Sequence, residues 1–175
     1  MERNSRDFLP RIKTINSNAE HLCDLLRLRS LASSSPSPNA VIKQVLYPKF
    51  ISTENYLRSR RPLPASTSTS PLTPFSEEED NGRFGGLFSL TFTHPASAEA
   101  FFDTLACAKG PSLGTNFTLA CPYVVLAHYA EMDWAEQFGV ERTLVRVSVG
   151  MEEQSVLKEW FEKAVDAAEK AAVRV

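Results

Sequence analysis

The residues best suited to chemistry lie in two short segments of the 175-residue chain. The first, residues 108–119, reads Ala-Lys-Gly-Pro-Ser-Leu-Gly-Thr-Asn-Phe-Thr-Leu and offers the Ser112 hydroxyl in a glycine turn. The second, residues 143–150, places Arg146 between two valines in a short apolar stretch. An arginine buried beside a pocket usually binds a carboxylate or phosphate through two parallel hydrogen bonds. We therefore predict an anion site at Arg146.

The residue types leave two further questions open at this site. Arg146 could instead form a structural ion pair with a carboxylate such as Glu152. The turn that holds Ser112 and Gly114 is, on sequence alone, more often just a turn. Its hydroxyl and backbone amides could meet the same anion as Arg146, and Asn116 and Thr118 are near enough to join them, although polar residues at strand edges are common. The predicted binding set is therefore Arg146, Ser112, Gly114 and Asn116.

Other catalytic or metal-binding patterns are weak in this sequence. The three histidines are scattered and lack the spacing of zinc ligands, so no metal site is expected. A Ser-His-Asp triad can be drawn from Ser112, His128 and Asp133, but no nucleophile-elbow motif accompanies it.

Composition excludes several classes of partner. The net charge of -2 predicts no general attraction for nucleic acid or anionic membranes. No run approaches the roughly 20 apolar residues that a membrane helix needs. Three cysteines, an odd number without a CxxC pair, favour reduced thiols. We expect a cytoplasmic protein.

The elements that must position these residues follow from periodicity. Apolar residues predict an amphipathic helix over 5–29, with this stripe: Phe8, Ile12, Ile15, Ala19, Leu22 and Leu26. Because such a helix needs a partner surface, we expect the chain to be a piece of something larger and to expose the stripe when isolated. A last helix over 152–173 should bury Val156, Trp160, Ala164, Ala167 and Ala171.

Strands are predicted near 40–47, 87–92, 117–121 and 144–149, with a helix over 97–106. A helical turn should follow Pro122. Alternating strands and helices without repeated glycine turns predict an α/β fold, a small sheet covered by helices.

Three regions are expected along the chain. Residues 1–60 hold the long helix and first strand. Residues 61–82, rich in Pro, Ser and Thr and then acidic, read as a low-complexity mobile insert. Residues 83–175 form the main body.

Several motifs together resemble a known enzyme domain. They are Val-Ile-Lys-Gln-Val-Leu-Tyr-Pro at 41–48, Gly-Gly-Leu-Phe-Ser at 85–89, Ser-Leu-Gly at 112–114 and Leu-Val-Arg-Val-Ser-Val-Gly-Met-Glu at 144–152. This set resembles the C-terminal domain of the fold-type I, pyridoxal-phosphate-dependent enzymes of cysteine and methionine metabolism. With residues 4–8, residues 110–119 are most similar to fungal cystathionine gamma-synthases.

The resemblance implies a role for each predicted site residue. Arg146 would bind the α-carboxylate of an amino-acid substrate, with help from Ser112. The complete enzyme would join an O-acylhomoserine to cysteine in trans-sulfuration, giving cystathionine for methionine biosynthesis. One residue departs from the pattern: many relatives carry glutamate where this chain has Pro111.

The catalytic parts of the family are expected to lie outside this chain. No Ser-x-Thr-Lys segment occurs in it, so the lysine that would carry pyridoxal 5'-phosphate is missing. Lys109, between Ala108 and Gly110, is better explained as a surface lysine, since a lysine nucleophile needs desolvation or a nearby cation. We therefore expect no catalytic residue here and an inactive isolated chain.

Two classes of function remain open at this point. The chain could be the substrate-side part of a pyridoxal-phosphate enzyme, working with an N-terminal cofactor domain in a homo-oligomer. Alternatively, it could be a non-catalytic interaction protein or truncated paralogue that associates with full-length relatives.

Overall fold

The computed structural model describes residues 5–59 and 84–173, and within them strands and helices alternate as expected. The elements in chain order are α1 (Phe8–Leu28), β1 (Ile42–Leu46), α2 (Thr53–Ser59), β2 (Leu87–Phe92), α3 (Pro95–Thr104), β3 (Ala108–Lys109), β4 (Leu119–Cys121), α4 (Tyr123–Ala127), a 3-10 turn (Tyr129–Glu131), α5 (Met132–Glu136), β5 (Val145–Ser148) and α6 (Gln154–Ala172).

These strands form one five-stranded sheet in the order β1-β2-β5-β4-β3. Neighbouring strands are antiparallel except for the parallel pair β3 and β4. In this register Arg146 lies directly opposite Ser89 on one side and Cys121 on the other. Because alternate residues of a strand point to opposite faces, Arg146 lies on the face away from Val145 and Val147.

The core lies between the other face of the sheet and the helices. Phenylalanine rings join the layers: Phe88 of β2 meets Phe161 of α6 at 6.1 Å, and Phe92 meets Phe101 of α3 at 5.1 Å between ring centres. Phe101 and Phe161 are 6.0 Å apart, so α3 and α6 also pack on each other. All four rings are buried, which removes large apolar surfaces from water and fixes both helices on the sheet.

Helix α1 differs from the expectation of a fully uncovered stripe. Ala19, Leu22 and Leu26 are completely buried against this domain, whereas Phe8, near the start of the helix, is 50% exposed. The C-terminal half of α1 is also tied to α6, because Arg29 forms ion pairs of 2.8 Å with Asp166 and Glu169. The prediction is therefore wrong for the second half of the stripe, which finds its partner surface within the chain.

The buried stripe of α6 also differs from the one predicted. The helix buries Leu157, Phe161, Ala164, Val165 and Ala168, while Val156 is 37% exposed and Trp160 is half-buried. Two stripes one residue apart were compatible with this alanine-rich sequence. The observed stripe carries Leu157 and Phe161, and the predicted set shares only Ala164 with it.

The boundaries of the three predicted regions stay a prediction, since residues 61–82 lie outside the described residues. The segments on either side are joined by the sheet itself, because β1 pairs with β2. Tyr47, buried at the end of β1, donates its hydroxyl to the carbonyl of Gly85 at 2.9 Å. Across residues 5–59 and 84–173, no helix is both long and apolar enough to cross a bilayer.

Candidate functional site

Arg146 lies on the open face of the sheet and is held from two sides. Its Nη2 donates a hydrogen bond of 2.6 Å to the carbonyl of Pro111. Its guanidinium carbon lies 4.8 Å from the centre of the Tyr123 ring, a cation–π geometry. Among the described residues, no carboxylate forms an ion pair with it. The side chain is half-buried rather than fully buried, so the expectation of a buried arginine is corrected to a positioned and partly accessible one.

Glu152, the carboxylate considered as a structural partner for Arg146, is engaged elsewhere. Its Oε1 accepts the backbone N–H of Thr118 at 2.7 Å, and its Oε2 accepts the Thr118 hydroxyl at 2.8 Å. Both carboxylate oxygens are therefore used by one residue at the start of β4. The structural alternative for Arg146 is not supported with Glu152 as its partner.

The loop 111–117 joins β3 to β4 and carries the other predicted binding residues. Ser112, Gly114 and Asn116 are all exposed on it. Within the turn, the N–H of Gly114 points to the Ser112 hydroxyl at 3.5 Å, the outer limit of a hydrogen bond. The hydroxyl and the amides of this turn are thus accessible donors. Arg146 meets the loop at Pro111, one residue before Ser112.

A groove of about 310 Å³ separates this loop from the first half of α1. Gly114 and Asn116 line it together with Ser148 at the end of β5. The remaining lining residues are Phe8, Arg11, Ile12, Ile15, Gly86, Leu113, Thr115 and Val149. Arg146 and Ser112 are not part of this lining. The structure thus brings Gly114 and Asn116 into one groove, while Arg146 is joined to the same loop at its other end.

Tyr123 is a component that sequence reasoning missed. It follows Pro122 at the start of α4, and its ring lies under the Arg146 guanidinium. Its other contact is with the ring of His128, at 5.7 Å and nearly perpendicular. No signal in the sequence marks this contact, because it depends on the pairing of β4 with β5, in which Cys121 lies opposite Arg146.

Lys109 faces a different part of the molecule. Its ammonium donates to the carbonyls of Phe102 and Leu105, the latter at 2.7 Å, and lies 4.4 Å from the centre of the Phe102 ring. Burial lowers the pKa of Lys109. The side chain is exposed and its ammonium is used by carbonyls at the end of α3, in agreement with the prediction of a surface lysine.

Ser112, His128 and Asp133 do not form the catalytic triad considered from the sequence. His128 Nδ1 contacts the Glu131 carboxylate at 2.8 Å, and Asp133 pairs with Arg142. Ser112 makes no contact with either of them. Within residues 5–59 and 84–173, no group of three or more His, Cys, Asp or Glu side chains is arranged to hold a metal ion.

The donors gathered at this site suit a carboxylate on a substrate. A guanidinium, a hydroxyl and free amides are all hydrogen-bond donors toward such an anion. A lysine that could carry a cofactor is not among them, since Lys109 is turned to the carbonyls of α3. The arrangement therefore offers donors to an anionic group near Arg146 and loop 111–117.

Comparisons with known proteins connect this geometry to an enzyme family. No family model matches the sequence. The cystathionine gamma-synthase-like enzyme iboG2 of Amanita muscaria is 52% identical over 171 residues, which cover 98% of this chain and 26% of the relative. The cystathionine gamma-synthase of Saccharomyces cerevisiae is 43% identical over 168 residues, covering 96% and 23% of the two chains. The Neurospora crassa cystathionine gamma-synthase is 42% identical over 170 residues, covering 97% and 23%.

Solved structures show the same fold. The crystal structure of cystathionine gamma-lyase from yeast superposes with a TM-score of 0.72 at 20% identity, covering 95% of this chain and 37% of that one. Cystathionine gamma-synthase from Xanthomonas oryzae pv. oryzae, in complex with cystathionine, gives a TM-score of 0.66 at 21% identity, covering 97% and 37%. The chain spans about a quarter of the length of the curated relatives it matches. It is therefore homologous to cystathionine gamma-synthases and has the fold of the C-terminal domain of these pyridoxal-phosphate-dependent enzymes.

Proposed function

We propose that this chain is the substrate-side domain of a cystathionine gamma-synthase, in which Arg146 binds the α-carboxylate of the amino-acid substrate. The complete enzyme would replace the acyloxy group of an O-acylhomoserine by the sulfur of cysteine. Support for the reaction comes from the relatives, since curated cystathionine gamma-synthases are 42–43% identical to this chain. The domain would work with a cofactor-binding N-terminal domain or a full-length homologue, in the oligomers typical of the family.

One observation carries the proposal: Arg146 is positioned but not neutralised. Its guanidinium is fixed by the Pro111 carbonyl and the Tyr123 ring, neither of which carries a negative charge. A guanidinium has five N–H donors in a planar fork, and only one of them is used by the Pro111 carbonyl. The remaining donors can therefore receive both oxygens of a carboxylate.

Pro111 contributes to this state of Arg146. Proline offers its backbone carbonyl to Arg146 and brings no anionic side chain to this position. The carbonyl orients the arginine without competing for its charge. This departure from the family pattern would leave Arg146 fully available to the substrate.

Ser112, Gly114 and Asn116 complete the proposed site on loop 111–117. The Ser112 hydroxyl and the amides of the turn would add donors to the carboxylate. Gly114 and Asn116, which line the groove with Ser148, would contact the rest of the substrate. Pyridoxal phosphate, when bound by the partner domain, supplies the electron sink for the chemistry. The role of this chain is orientation, because fixing the carboxylate fixes how the bonds at the α-carbon are presented.

The test is a chimera in which this chain replaces the corresponding segment of the Saccharomyces cerevisiae enzyme. We expect turnover of an O-acylhomoserine with cysteine. Arg146→Lys keeps the charge but loses the planar fork, so kcat/KM should fall by roughly 10- to 100-fold, the effect of one charged hydrogen bond. Arg146→Ala should cost more, while cofactor content stays unchanged.

The matched control is Arg142→Ala, because Arg142 is an exposed arginine that already pairs with Asp133 and Glu136. It should leave kcat/KM near that of the parent chimera. A chimera that binds cofactor but has no activity would contradict the proposed domain role. Unchanged kinetics in both Arg146 variants would assign Arg146 to structure instead.

A further inference from the structure

A closed hydrogen-bond network joins the end of β5 to the start of β4. The Glu152 carboxylate accepts the Thr118 N–H at 2.7 Å and the Thr118 hydroxyl at 2.8 Å. The Thr118 hydroxyl oxygen in turn accepts the N–H of Gly150 at 2.9 Å. Thr118 is only 1% exposed, so these groups have no water to replace a lost partner. The network therefore rigidly joins the two strand ends.

This network also holds one end of loop 111–117. The N–H of Met151 donates to the carbonyl of Asn116 at 2.9 Å, two residues before Thr118. The other end of the loop is held where Arg146 donates to Pro111 and where the N–H of Gly110 donates to Ala120 at 3.0 Å. Between these two anchors Ser112, Leu113 and Gly114 are exposed, and Thr115 donates its hydroxyl to the carbonyl of Phe117 within the same loop. Their position beside Arg146 is therefore set from the ends.

The same turn is fixed to helix α1 by Asn18. This side chain is 3% exposed, and its amide donates to the carbonyls of Gly150 at 3.1 Å and Glu152 at 2.9 Å. The preceding turns of α1 form the wall of the groove that faces the loop. Residues 150–152 thus connect both walls of the groove, one through Asn18 and the other through Thr118.

We infer that Glu152, acting through Thr118 and together with Asn18, is a positioning residue for the substrate site. None of the three touches the substrate; they fix loop 111–117 with respect to Arg146 and to α1. A carboxylate suits the position because it presents two acceptors to the two donors of Thr118, the N–H and the hydroxyl. The substrate part of this inference rests on the proposed function, whereas the control of the loop does not.

The first test uses the intact chain and needs no activity. Amide hydrogen exchange is measured at Thr118, Gly150 and Met151 and compared with β2 (Leu87–Phe92). Glu152→Ala should speed exchange at the three amides by roughly 10- to 100-fold, since charge-assisted hydrogen bonds are lost. Exchange in β2 should change much less. The neighbouring Glu153, exposed and without a capping hydrogen bond, provides the control variant Glu153→Ala.

A second pair of variants keeps the test decisive if Glu152→Ala fails to fold. Thr118→Val retains the shape but removes the hydroxyl, whereas Thr118→Ser restores it. We expect Thr118→Val to speed amide exchange at Gly150. Thr118→Ser should return the Gly150 exchange rate to within about threefold of the parent chain. If Thr118→Val speeds amide exchange in β2 as much as at Gly150, the inference is overturned, because Thr118 would then stabilise the whole fold and not the loop in particular.

The functional part is tested by kinetics in the chimera. Glu152→Ala and Thr118→Val should raise the KM for the O-acylhomoserine by about 10-fold, with smaller changes in kcat and in cofactor content, and Thr118→Ser should rescue KM. If Arg146 variants impair the enzyme but these variants leave KM unchanged, the positioning role is refuted and the proposed function stands. If Arg146 variants have no effect, the proposed function fails. The exchange data still show whether Glu152 and Thr118 hold loop 111–117 in place.

Discussion

Arg146 and Glu152 are oppositely charged residues of the same short segment, yet the structure treats them in opposite ways. Glu152 is half-buried and places both carboxylate oxygens on Thr118. Arg146 donates to one neutral carbonyl, stacks on one ring and remains partly accessible. The two residues do not pair with each other.

The difference separates a charged residue whose acceptors are used inside the domain from one whose remaining donors are left for the ligand that we propose. A residue whose donors and acceptors are all satisfied inside the fold contributes to stability, and its loss leaves buried groups without partners. A residue that is oriented but not neutralised contributes little to the fold and keeps its interactions for another molecule. Substitutions around Glu152 should therefore mainly change the free energy of unfolding, whereas substitutions at Arg146 should mainly change kcat/KM.

The largest expected effect comes from comparing Gly150, which lies in the Glu152 network, with Gly114, which lies on loop 111–117. A Cβ on Gly150 would lie 2.4 Å from the carbonyl carbon of Phe117 and 2.5 Å from the nitrogen of Thr118, both backbone atoms. A Cβ on Gly114 would meet nothing within 4 Å. Gly150→Ala should therefore lower the free energy of unfolding by about 3 kcal/mol, the upper range for overpacking, and Gly114→Ala should change it by about 0.5 kcal/mol or less. Urea denaturation with equal m-values measures both. An equally stable Gly150→Ala would show that the strand ends can separate, contrary to the rigid network.

The second effect compares function with stability at Arg146 itself. Arg146→Ala should lower kcat/KM in the chimera by more than about 100-fold, or roughly 2.7 kcal/mol. Its free energy of unfolding should change by less than about 1 kcal/mol, because the side chain is partly exposed and donates its hydrogen bond to a neutral carbonyl. Parallel urea denaturation of the parent and variant chains checks this. If the loss in unfolding free energy is as large as the free energy equivalent of the loss in kcat/KM, Arg146 is a structural residue, as Glu152 is.

Sequence reasoning identified most elements of this fold because their signals are local. The strand predicted around Val147 is present as β5, with Val145 and Val147 buried, and the homologues and matching structures confirm the α/β domain and its family. The buried stripe of α6 was wrong because alanines on neighbouring stripes carry almost no directional signal. For α1, periodicity identified the apolar face, but it could not show that Leu22 and Leu26 are covered by the same chain.

The candidate site was harder to predict, since its contacts join residues that are distant in sequence. The type and neighbours of Arg146 pointed to an anion, and that role stays a prediction. The partner of Glu152 could not be read from its position, because the choice between Arg146 and Thr118 depends on how β4 and β5 align. Asn18 was missed for the same reason: an asparagine within an amphipathic helix looks like a surface residue until the turn at Gly150 packs against it.

The smallest expected effect concerns Tyr123, whose ring helps to orient Arg146. Tyr123 lies under Arg146 with its ring centre 4.8 Å from the guanidinium carbon, a contact worth about 0.5–1 kcal/mol at a partly exposed site. Tyr123→Leu keeps an apolar side chain but removes the aromatic face, so the KM for the O-acylhomoserine should rise by about two- to fivefold. Tyr123→Phe retains the ring and serves as the matched control, with KM close to the parent value. Steady-state kinetics of both variants in the chimera measure the effect. If Tyr123→Phe is as impaired as Tyr123→Leu, the hydroxyl and not the ring matters, and Arg146 would then be oriented by the Pro111 carbonyl without help from stacking.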